Sequence, residues 1–399
     1  MLSIVKNRCY KTTHLLVFVL IFLLSDGCKA KTGVEVGASR IESYLPMLKG
    51  KRVGVVVNHT SYVDDSHIVD LLQSNGVNVV RIFAPEHGFR GDHSAGAEIT
   101  DGVDQKSGVS IFSLYGKHRK PTATVMKELD LCLFDIQDVG CRFYTYISTL
   151  FYVMEACAEN NVEMVVLDRP NPNGDYVSGP VLKPAYRSFV GIAPIPIVHG
   201  CTVGELALMY KGEGWIKHAS SLKLQVVTCR HYAHDLKYVP PIAPSPNLPN
   251  YRSIRLYPSL CLFEATTVSI GRGTSFPFQV IGYPQKEFGD YSFTPESIPH
   301  VSKYPKLEGE VCYGDSFLEL EDYPPFTFNY FYQWAMKFDN LSDFVDRPKW
   351  LNLLVGDDFV LDALKNKLPF EQWEKKYSSD LVRYKQVRAK YLLYPENSN

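Results

Sequence analysis

The sequence contains no strongly basic segment, and its 42 Lys and Arg residues are balanced by 43 Asp and Glu residues, for a formal net charge of -1 at pH 7. Because proteins that bind nucleic acids carry a basic patch for the phosphates, we expect no nucleic-acid partner. Three common catalytic motifs are also absent: no GxGxxG follows a strand, and neither a GxxxxGK[ST] loop nor a GxSxG elbow occurs. These absences disfavour dinucleotide binding, P-loop chemistry and serine hydrolases of the elbow type.

Cysteine pairs with metal-binding spacing are lacking as well. The chain has nine cysteines, but no CxxC pair and no zinc-finger spacing occurs among them. Cys132 lies in a run predicted to form a strand and Cys157 in a run predicted to form a helix, where a thiol packs as a small apolar group. We therefore predict that most of the thiols are buried. Export would permit disulfides, but we assign no pairing.

One long apolar run lies near the N-terminus, and no other follows it. This run, LLVFVLIFLL at residues 15–24, is too short to span a bilayer as a helix. Basic residues precede it and SDGCKA follows it, a pattern typical of a secretory signal peptide that ends at residue 30. We expect an exported protein, either periplasmic or tethered to the outer membrane as a lipoprotein through Cys28. No transmembrane span is expected in the mature chain.

Segments typical of strands and of helices alternate through the first half of the chain. The strand-like segments are continuous apolar runs, which favours a parallel sheet covered by helices on both faces. We therefore predict an α/β fold with an open, mostly parallel sheet, followed by a smaller α+β domain. The predicted organisation is a signal peptide at 1–30, a larger domain at 31–280 and an auxiliary domain at 281–399, and the predicted strands are 51–58, 78–88, 108–116, 129–138, 162–174 and 222–229.

Polar residues follow the predicted strands at their carboxyl ends. Ligands of open α/β sheets bind beyond these ends, so we expect the side chains to line one rim of a cleft. Polar loops between strands and helices are common, because Asp often caps the next helix. Four or five such loops at one rim nevertheless favour a binding site. The residues are Asn58 and His59, Glu86 and His87, Tyr115, Asp135 to Asp138, and Asp168 with Arg169.

Carboxylates are the most plentiful reactive groups at this rim. A pair of them carries glycoside hydrolysis, one as acid and the other as nucleophile, base or ion stabiliser. Glu86 is the strongest candidate, because it heads a Gly-rich loop and has no helix to cap. Glu205 fits a capping box with Thr202, and Asp168 fits the turn that follows it, so both have structural interpretations. The alternative is a metal site, for which the available ligands are Glu86, His87, Asp92 and His93.

Six motifs distributed over the chain resemble those of one protein family. The resemblance extends from about Gly33 to Pro395. The family is the exo-β-N-acetylmuramidase family (NamZ-like, glycoside hydrolase family 171), formerly a domain of unknown function. The motifs are FAPEHGFRG, FDIQDVGCRFYTYISTL, VLDRPNPNGDYVSGP, PIVHGCTVGELALMYKGEGW, PSPNLPNYRSIRLYPSLCLFEATTVSIGRGTSFPFQVIGYP and VRAKYLLYP.

The resemblance implies cleavage of terminal β-linked N-acetylmuramic acid (MurNAc) from the non-reducing end of peptidoglycan fragments, without a cofactor or a metal. It implies a Rossmann-like catalytic domain and an auxiliary domain, with a cleft between them. Glu86 is the expected catalytic residue and Asp135 or Asp138 its expected partner. Arg142 is our first candidate for binding the lactyl carboxylate of MurNAc, and Arg272 is the second. Further candidates for substrate binding are Asn58, His59, His87, Tyr144, Tyr146, Asp168, Asn171, His199 and Glu264.

Two other classes of function are compatible with the same sequence. A non-catalytic periplasmic protein that binds cell-wall sugars would tolerate loss of Glu86, whereas a metal-dependent hydrolase would be inactivated by EDTA. For a glycosidase, the separation of the two carboxyl groups predicts the stereochemical course. The sequence does not give this separation, so retaining, inverting and substrate-assisted mechanisms all stay open.

Overall fold

A seven-stranded sheet forms the centre of the computed structural model, which describes residues 33–86, 88–90, 101–116 and 118–396. Its spatial order is β7-β6-β5-β1-β2-β4-β3, and every neighbouring pair is parallel except β3 with β4. The predicted open, mostly parallel sheet is therefore confirmed. The strands are β1 (Arg52–Val57), β2 (Asn78–Ala84), β3 (Gly102–Val103), β4 (Ser110–Ser113), β5 (Leu131–Asp135), β6 (Glu163–Leu167) and β7 (Leu224–Val227).

Helices cover both faces of this sheet, which explains why its central strands are apolar without alternation. Successive side chains of a strand point to opposite faces, and β1 accordingly contributes Val56 to one core cluster and Val55 to another. The helices of the described residues are α1 (Ile41–Leu48), α2 (Ile68–Ser74), α3 (Ala123–Met126), α4 (Tyr146–Asn160), α5 (Val203–Gly212), α6 (Tyr251–Leu260), α7 (Asn329–Ala335), α8 (Leu341–Phe344), α9 (Pro348–Val355), α10 (Phe359–Lys365) and α11 (Ser378–Arg388).

The start of α5 bears out the sequence interpretation of Glu205. The Thr202 side chain accepts a hydrogen bond from the Glu205 amide, and the Glu205 carboxylate accepts one from the Thr202 amide. His234 adds a further contact to this carboxylate, because its Nε2 lies 2.9 Å from Glu205 Oε1. Glu205 is fully buried, so it serves to hold the helix end.

The C-terminal part is mostly helical and includes a three-stranded antiparallel sheet in the order β8-β10-β9, with β8 at Val280–Tyr283, β9 at Tyr291–Phe293 and β10 at Cys312–Ser316. One large apolar cluster continues from the main sheet into these helices. The described residues from Glu35 onward form one compact unit. The predicted domain boundary at residue 280 coincides with the start of β8 and stays a prediction.

The N-terminal predictions fall on residues outside the described part of the chain. These are the signal peptide at residues 1–30 and the lipid attachment site at Cys28. Among the described residues, no helix combines the length and apolar character needed to cross a membrane. The cysteine prediction is confirmed where it can be compared, because seven described thiols are all free and buried, namely Cys132, Cys141, Cys157, Cys201, Cys229, Cys261 and Cys312.

Candidate active site

A cavity of about 450 Å³, termed the first cavity, lies beyond the carboxyl end of β2 with Glu86 in its wall. The order of the strands reverses at β1, since β2 and β4 lie on one side of it and β5 and β6 on the other. Open α/β sheets bind ligands at such a reversal. Both halves of the chain line the cavity, and the described lining includes Tyr115, Arg119, Tyr144, Thr145, Tyr146, Phe189, Tyr257, Glu264, Arg272, Phe278 and Trp350.

Hydroxyl groups surround Glu86. The Thr145 hydroxyl donates to Glu86 Oε2 over 3.4 Å, and the Tyr146 hydroxyl donates to the Glu86 backbone carbonyl over 3.4 Å. Burial, and next the nearby Glu86 carboxylate, raise the pKa of Tyr115. The Tyr115 phenol therefore stays protonated at neutral pH and is available as a donor. Glu86 thus has a carboxyl group at the cavity wall with its orientation fixed by neighbours.

Glu264 is a second carboxylate at the same place. A second cavity, of about 490 Å³, adjoins the first, and the two share Glu86, Glu264 and Arg272 in their linings. Arg272 Nη2 donates to Glu264 Oε1 in an ion pair. The two carboxylates and the guanidinium therefore mark the junction of the two cavities.

The short 3₁₀ helix Cys261–Ala265 carries Glu264, and two cations hold its C-terminal end. Lys306 donates to the carbonyl oxygens of Phe263 and Thr266, and Arg347 donates to the carbonyl oxygen of Glu264. The last carbonyls of a helix have no partner within it, and cations are favourable there. Burial lowers the pKa of Lys306 to about 8. These contacts fix the backbone from which the Glu264 side chain extends.

Asp135 and Asp138, the predicted partners of Glu86, do not belong to the described lining of either cavity. Both are buried. Arg169 binds both oxygens of Asp135 at 2.6 and 2.9 Å, and Asp138 Oδ2 accepts from the Gly140 amide over 2.7 Å. The geometry therefore favours Glu264 over both residues as the partner of Glu86.

Arg142 has a structural position that corrects our first candidate for lactyl binding. Its side chain is fully buried and lines neither cavity. The guanidinium donates to four backbone carbonyls: Nη1 to Pro180 and Ile195 over 2.8 and 3.0 Å, and Nη2 to Leu354 and Val355 over 2.7 Å each. Arg142 thus joins the C-terminal end of α9 to the region before α5, and Arg272 is the candidate that reaches the site.

Asp168 connects three segments that pack beyond β6. Its Oδ1 accepts from the Gly204 amide over 2.8 Å, and its Oδ2 accepts from the Thr202 and Tyr394 hydroxyls over 2.7 and 2.6 Å. Burial raises the pKa of Asp168 to about 6. Asp168 therefore fixes the start of α5 and the C-terminal segment, and it is not part of the described lining of either cavity.

The remaining candidates divide between the cavity wall and the supporting loops. Tyr144 and Tyr146 line the first cavity, and the Tyr144 hydroxyl donates to the Pro244 carbonyl over 2.5 Å. His87 lies outside the described residues. The others support loops: Asn58 Oδ1 accepts from the Thr60 amide, His59 Nε2 contacts the Ala243 carbonyl, Asn171 Nδ2 donates to the Cys201 carbonyl, and His199 Nδ1 accepts from the Cys201 amide.

Several lining residues were not identified from the sequence. Lys306, Arg347 and Trp350 belong to segments with weak strand and helix patterns, and nothing in their spacing relates them to Glu86. The one local signal is a run of basic and aromatic residues at 347–350. These residues reach the site because the C-terminal chain folds back over the end of the sheet.

The metal alternative has no support among the residues that the structure describes. No group of three or more His, Cys, Asp and Glu side chains in this part of the chain is arranged to hold a metal ion. Three of the four ligands named for that alternative, His87, Asp92 and His93, lie outside the described residues. Activity measured with and without a chelator therefore tests whether the protein is a metal-dependent hydrolase.

Comparisons with known proteins identify similar chains over nearly the whole length. Residues 53–252 match the family model for the N-terminal domain of the exo-beta-N-acetylmuramidase NamZ, and residues 255–394 match the model for its C-terminal domain. The peptidoglycan beta-N-acetylmuramidase NamZ of Bacillus subtilis (strain 168) is 36% identical over 397 residues, with 92% of each chain covered.

Two crystal structures of DUF1343 family proteins from Bacteroides fragilis are also similar. One is 43% identical with a TM-score of 0.84, and the match covers 92% of this chain and 100% of that chain. The other is 29% identical with a TM-score of 0.77, and the match covers 91% of this chain and 99% of that chain.

Proposed function

This chain belongs to the exo-β-N-acetylmuramidase NamZ family, which confirms the resemblance of its motifs, and from this premise we propose that it removes terminal β-linked MurNAc from the non-reducing end of peptidoglycan fragments. The observation that carries the proposal is the position of Glu86 and Glu264 where the two cavities meet. A sugar in each cavity places the glycosidic bond beside both carboxylates. Two carboxyl groups that flank such a bond are the arrangement by which glycosidases act.

We assign Glu86 as the general acid. It donates a proton to the glycosidic oxygen as the bond from that oxygen to C1 of MurNAc breaks, and the leaving sugar departs as an alcohol. Glu264, paired with Arg272, is the anionic group that faces the positive charge developing at C1. The hydroxyls of Thr145 and Tyr146 orient the segment that carries the acid.

Three courses for the second half of the reaction agree with this arrangement. Glu264 attacks C1, activates a water molecule, or orients the substrate's own 2-acetamido group for the attack. The first anomer released, observed by NMR, separates them: an α-anomer indicates inversion, and a β-anomer indicates either retaining route. Inversion therefore excludes substrate assistance.

Selectivity for MurNAc requires a cation for the lactyl carboxylate, which N-acetylglucosamine (GlcNAc) lacks. Arg272 lines both cavities, and a guanidinium binds a carboxylate with two parallel hydrogen bonds. Its Nη2 is engaged by Glu264, and its Nε is a buried donor without a hydrogen-bond partner among the described residues. We assign lactyl recognition to Arg272 in place of Arg142.

We also propose export and a role in cell-wall recycling. The support is the signal-peptide pattern at residues 1–30, together with a substrate that lies outside the cytoplasmic membrane. Two forms are expected, a periplasmic protein or a lipoprotein tethered through Cys28. Fractionation of cells that produce the wild type and Cys28→Ser distinguishes them, because only a lipoprotein moves from the membrane to the soluble fraction on this substitution.

Turnover of a chromogenic β-N-acetylmuramide, with and without EDTA, tests the activity. We expect turnover that EDTA leaves unchanged, and a fall in kcat of about 10²- to 10⁴-fold for Glu86→Gln, since general acid catalysis contributes about that much. Glu371→Gln, an exposed glutamate away from both cavities, is the matched control and should retain full activity.

Each alternative has its own result in this assay. A protein that binds MurNAc but turns over no substrate is a binding protein, and activity abolished by EDTA indicates a metal-dependent hydrolase. Near-normal turnover by Glu86→Gln would remove Glu86 from the role of acid while leaving the activity itself intact.

A further inference from the structure

The two cavities differ in how far they open to solvent. Among the described residues that line the first cavity, Arg119 is the exposed one, and the rest are buried or half-buried. The second cavity is bordered by three exposed residues, Lys303, Tyr304 and Arg347. A terminal sugar has nothing attached beyond it and fits an enclosed space. The rest of the glycan must continue into solvent, so it requires the more open side.

Tyr304 is the most prominent feature of this open side. Its side chain is 81% exposed, more than any other large apolar residue noted as exposed in the described part of the chain. The backbone on both sides of Tyr304 is held next to the Glu264–Arg272 ion pair. The Glu296 amide donates to the Gly273 carbonyl over 2.8 Å on one side of the loop.

Gly273 permits this close approach of the loop. Its φ is +83°, and a Cβ atom there would lie 2.7 Å from the Pro305 side chain and 2.5 Å from the Glu296 carbonyl oxygen. At the other side, Lys306 binds the end of the 3₁₀ helix that carries Glu264. The loop that presents Tyr304 is thus tied to the backbone beside each member of the ion pair.

The charge of the second cavity is suited to an anionic chain. In glycan without its stem peptides, uncharged GlcNAc alternates with MurNAc, whose lactyl group then carries a free carboxylate. Charged linings that complement a ligand raise its local concentration and fix its orientation. The described lining has four cationic residues, Arg272, Lys303, Lys306 and Arg347, and two carboxylates, Glu86 and Glu264.

We propose that the second cavity receives the leaving part of the glycan, with Tyr304 packed against a pyranose face, and that the first cavity encloses the terminal MurNAc. The inference rests on the proposed glycosidase activity. A tyrosine ring offers an apolar face with a polar tip, which matches a pyranose whose C–H groups lie on one face and whose hydroxyls point outward. Lys303, whose Nζ lies 5.2 Å from the centroid of the Tyr304 ring, is placed to meet a carboxylate of the same chain.

Two substrates that differ in the leaving group test the assignment. One is the tetrasaccharide MurNAc-GlcNAc-MurNAc-GlcNAc, and the other is N-acetylmuramyl β-fluoride, whose leaving group has no ring to stack. Tyr304→Ala should lower kcat/KM for the tetrasaccharide about 3- to 10-fold and leave the fluoride within about 2-fold of wild type. Tyr304→Phe, which keeps the ring, should behave as wild type with both substrates.

Lysine variants provide a matched pair for the charge. Lys303→Ala should lower kcat/KM for the tetrasaccharide alone. The control is Lys385→Ala, which should leave kcat/KM unchanged for both substrates, because Lys385 is an exposed lysine on α11 that lines neither cavity. An equal loss on both substrates for Tyr304→Ala would place the terminal sugar in the second cavity and overturn the inference. A wild-type kcat/KM of Tyr304→Ala for the tetrasaccharide would overturn it as well. Wild-type protein that cleaves neither substrate would refute the proposed function, and the inference with it.

Discussion

Substitution of Arg142 distinguishes two roles for this residue. The sequence predicted that Arg142 binds the substrate, whereas the structure indicates that it stabilises the fold. Its guanidinium is fully buried and donates to four backbone carbonyls. Burial lowers the pKa of Arg142 to about 10, so the group is still charged at neutral pH. We expect Arg142→Met to destabilise the protein and to leave its selectivity for MurNAc unchanged.

The magnitude follows from the acceptors that lose their donor. Leu354 and Val355 lie at the C-terminal end of α9, where carbonyls have no partner within the helix. A buried acceptor without a partner costs about 1–3 kcal/mol, so these two of the four acceptors alone cost about 2–6 kcal/mol. The Ile195 carbonyl adds little to this loss of stability, because it keeps a second donor, the Leu182 amide at 3.1 Å. The total free energy of unfolding of a folded protein is about 5–15 kcal/mol, so this loss of stability is severe.

Urea unfolding followed by tryptophan fluorescence measures this change, and kcat/KM on muramyl substrate is taken on the folded fraction at low temperature. Arg383→Met is the matched control, because this arginine is exposed on α11, and exposed substitutions cost within about 0.5 kcal/mol. If Arg142→Met kept the wild-type unfolding free energy and lost tenfold or more in kcat/KM for the muramyl substrate alone, our account of Arg142 would be refuted.

Two further predictions concern recognition and pH. Arg272→Met should weaken inhibition by free MurNAc about 10- to 100-fold more than inhibition by GlcNAc, because a charge-assisted hydrogen bond contributes about 1.5–3 kcal/mol. If both inhibition constants rose by the same factor, Arg272 would not bind the lactyl group. His67 Nδ1 accepts from the Val69 amide at the start of α2, and burial lowers its pKa to about 4. As the pH falls from about 6.5 to 4, the unfolded chain takes up a proton that the folded chain refuses, so about 3 kcal/mol of stability present at neutral pH is lost. Urea unfolding should show a smaller loss for His67→Gln over this range, and identical pH dependence of the two proteins would contradict this role.

Much of the fold was predictable because its signals are local. The strands around Val55 and Phe134 are continuous apolar runs, as strands buried on both faces must be. The Thr202–Glu205 box marked the start of α5 for the same reason, since all its atoms belong to one turn. The position of Glu86 could also be predicted from the sequence, because a polar residue after a strand of a parallel sheet lies at the edge where ligands bind.

The sequence alone thus determined the α/β sheet, the family and the position of Glu86 at the rim. The tertiary structure decided which of the other polar groups face the cavities. Asp135 ends β5 and Arg142 follows it, yet their side chains turn inward to Arg169 and to the carbonyls of α9, because buried charges must find partners. Glu264 comes to line the same cavities as Glu86 only through the packing of the C-terminal segments. No local pattern encodes this shared lining, since it depends on the summed burial of apolar surface from residues far apart in the chain.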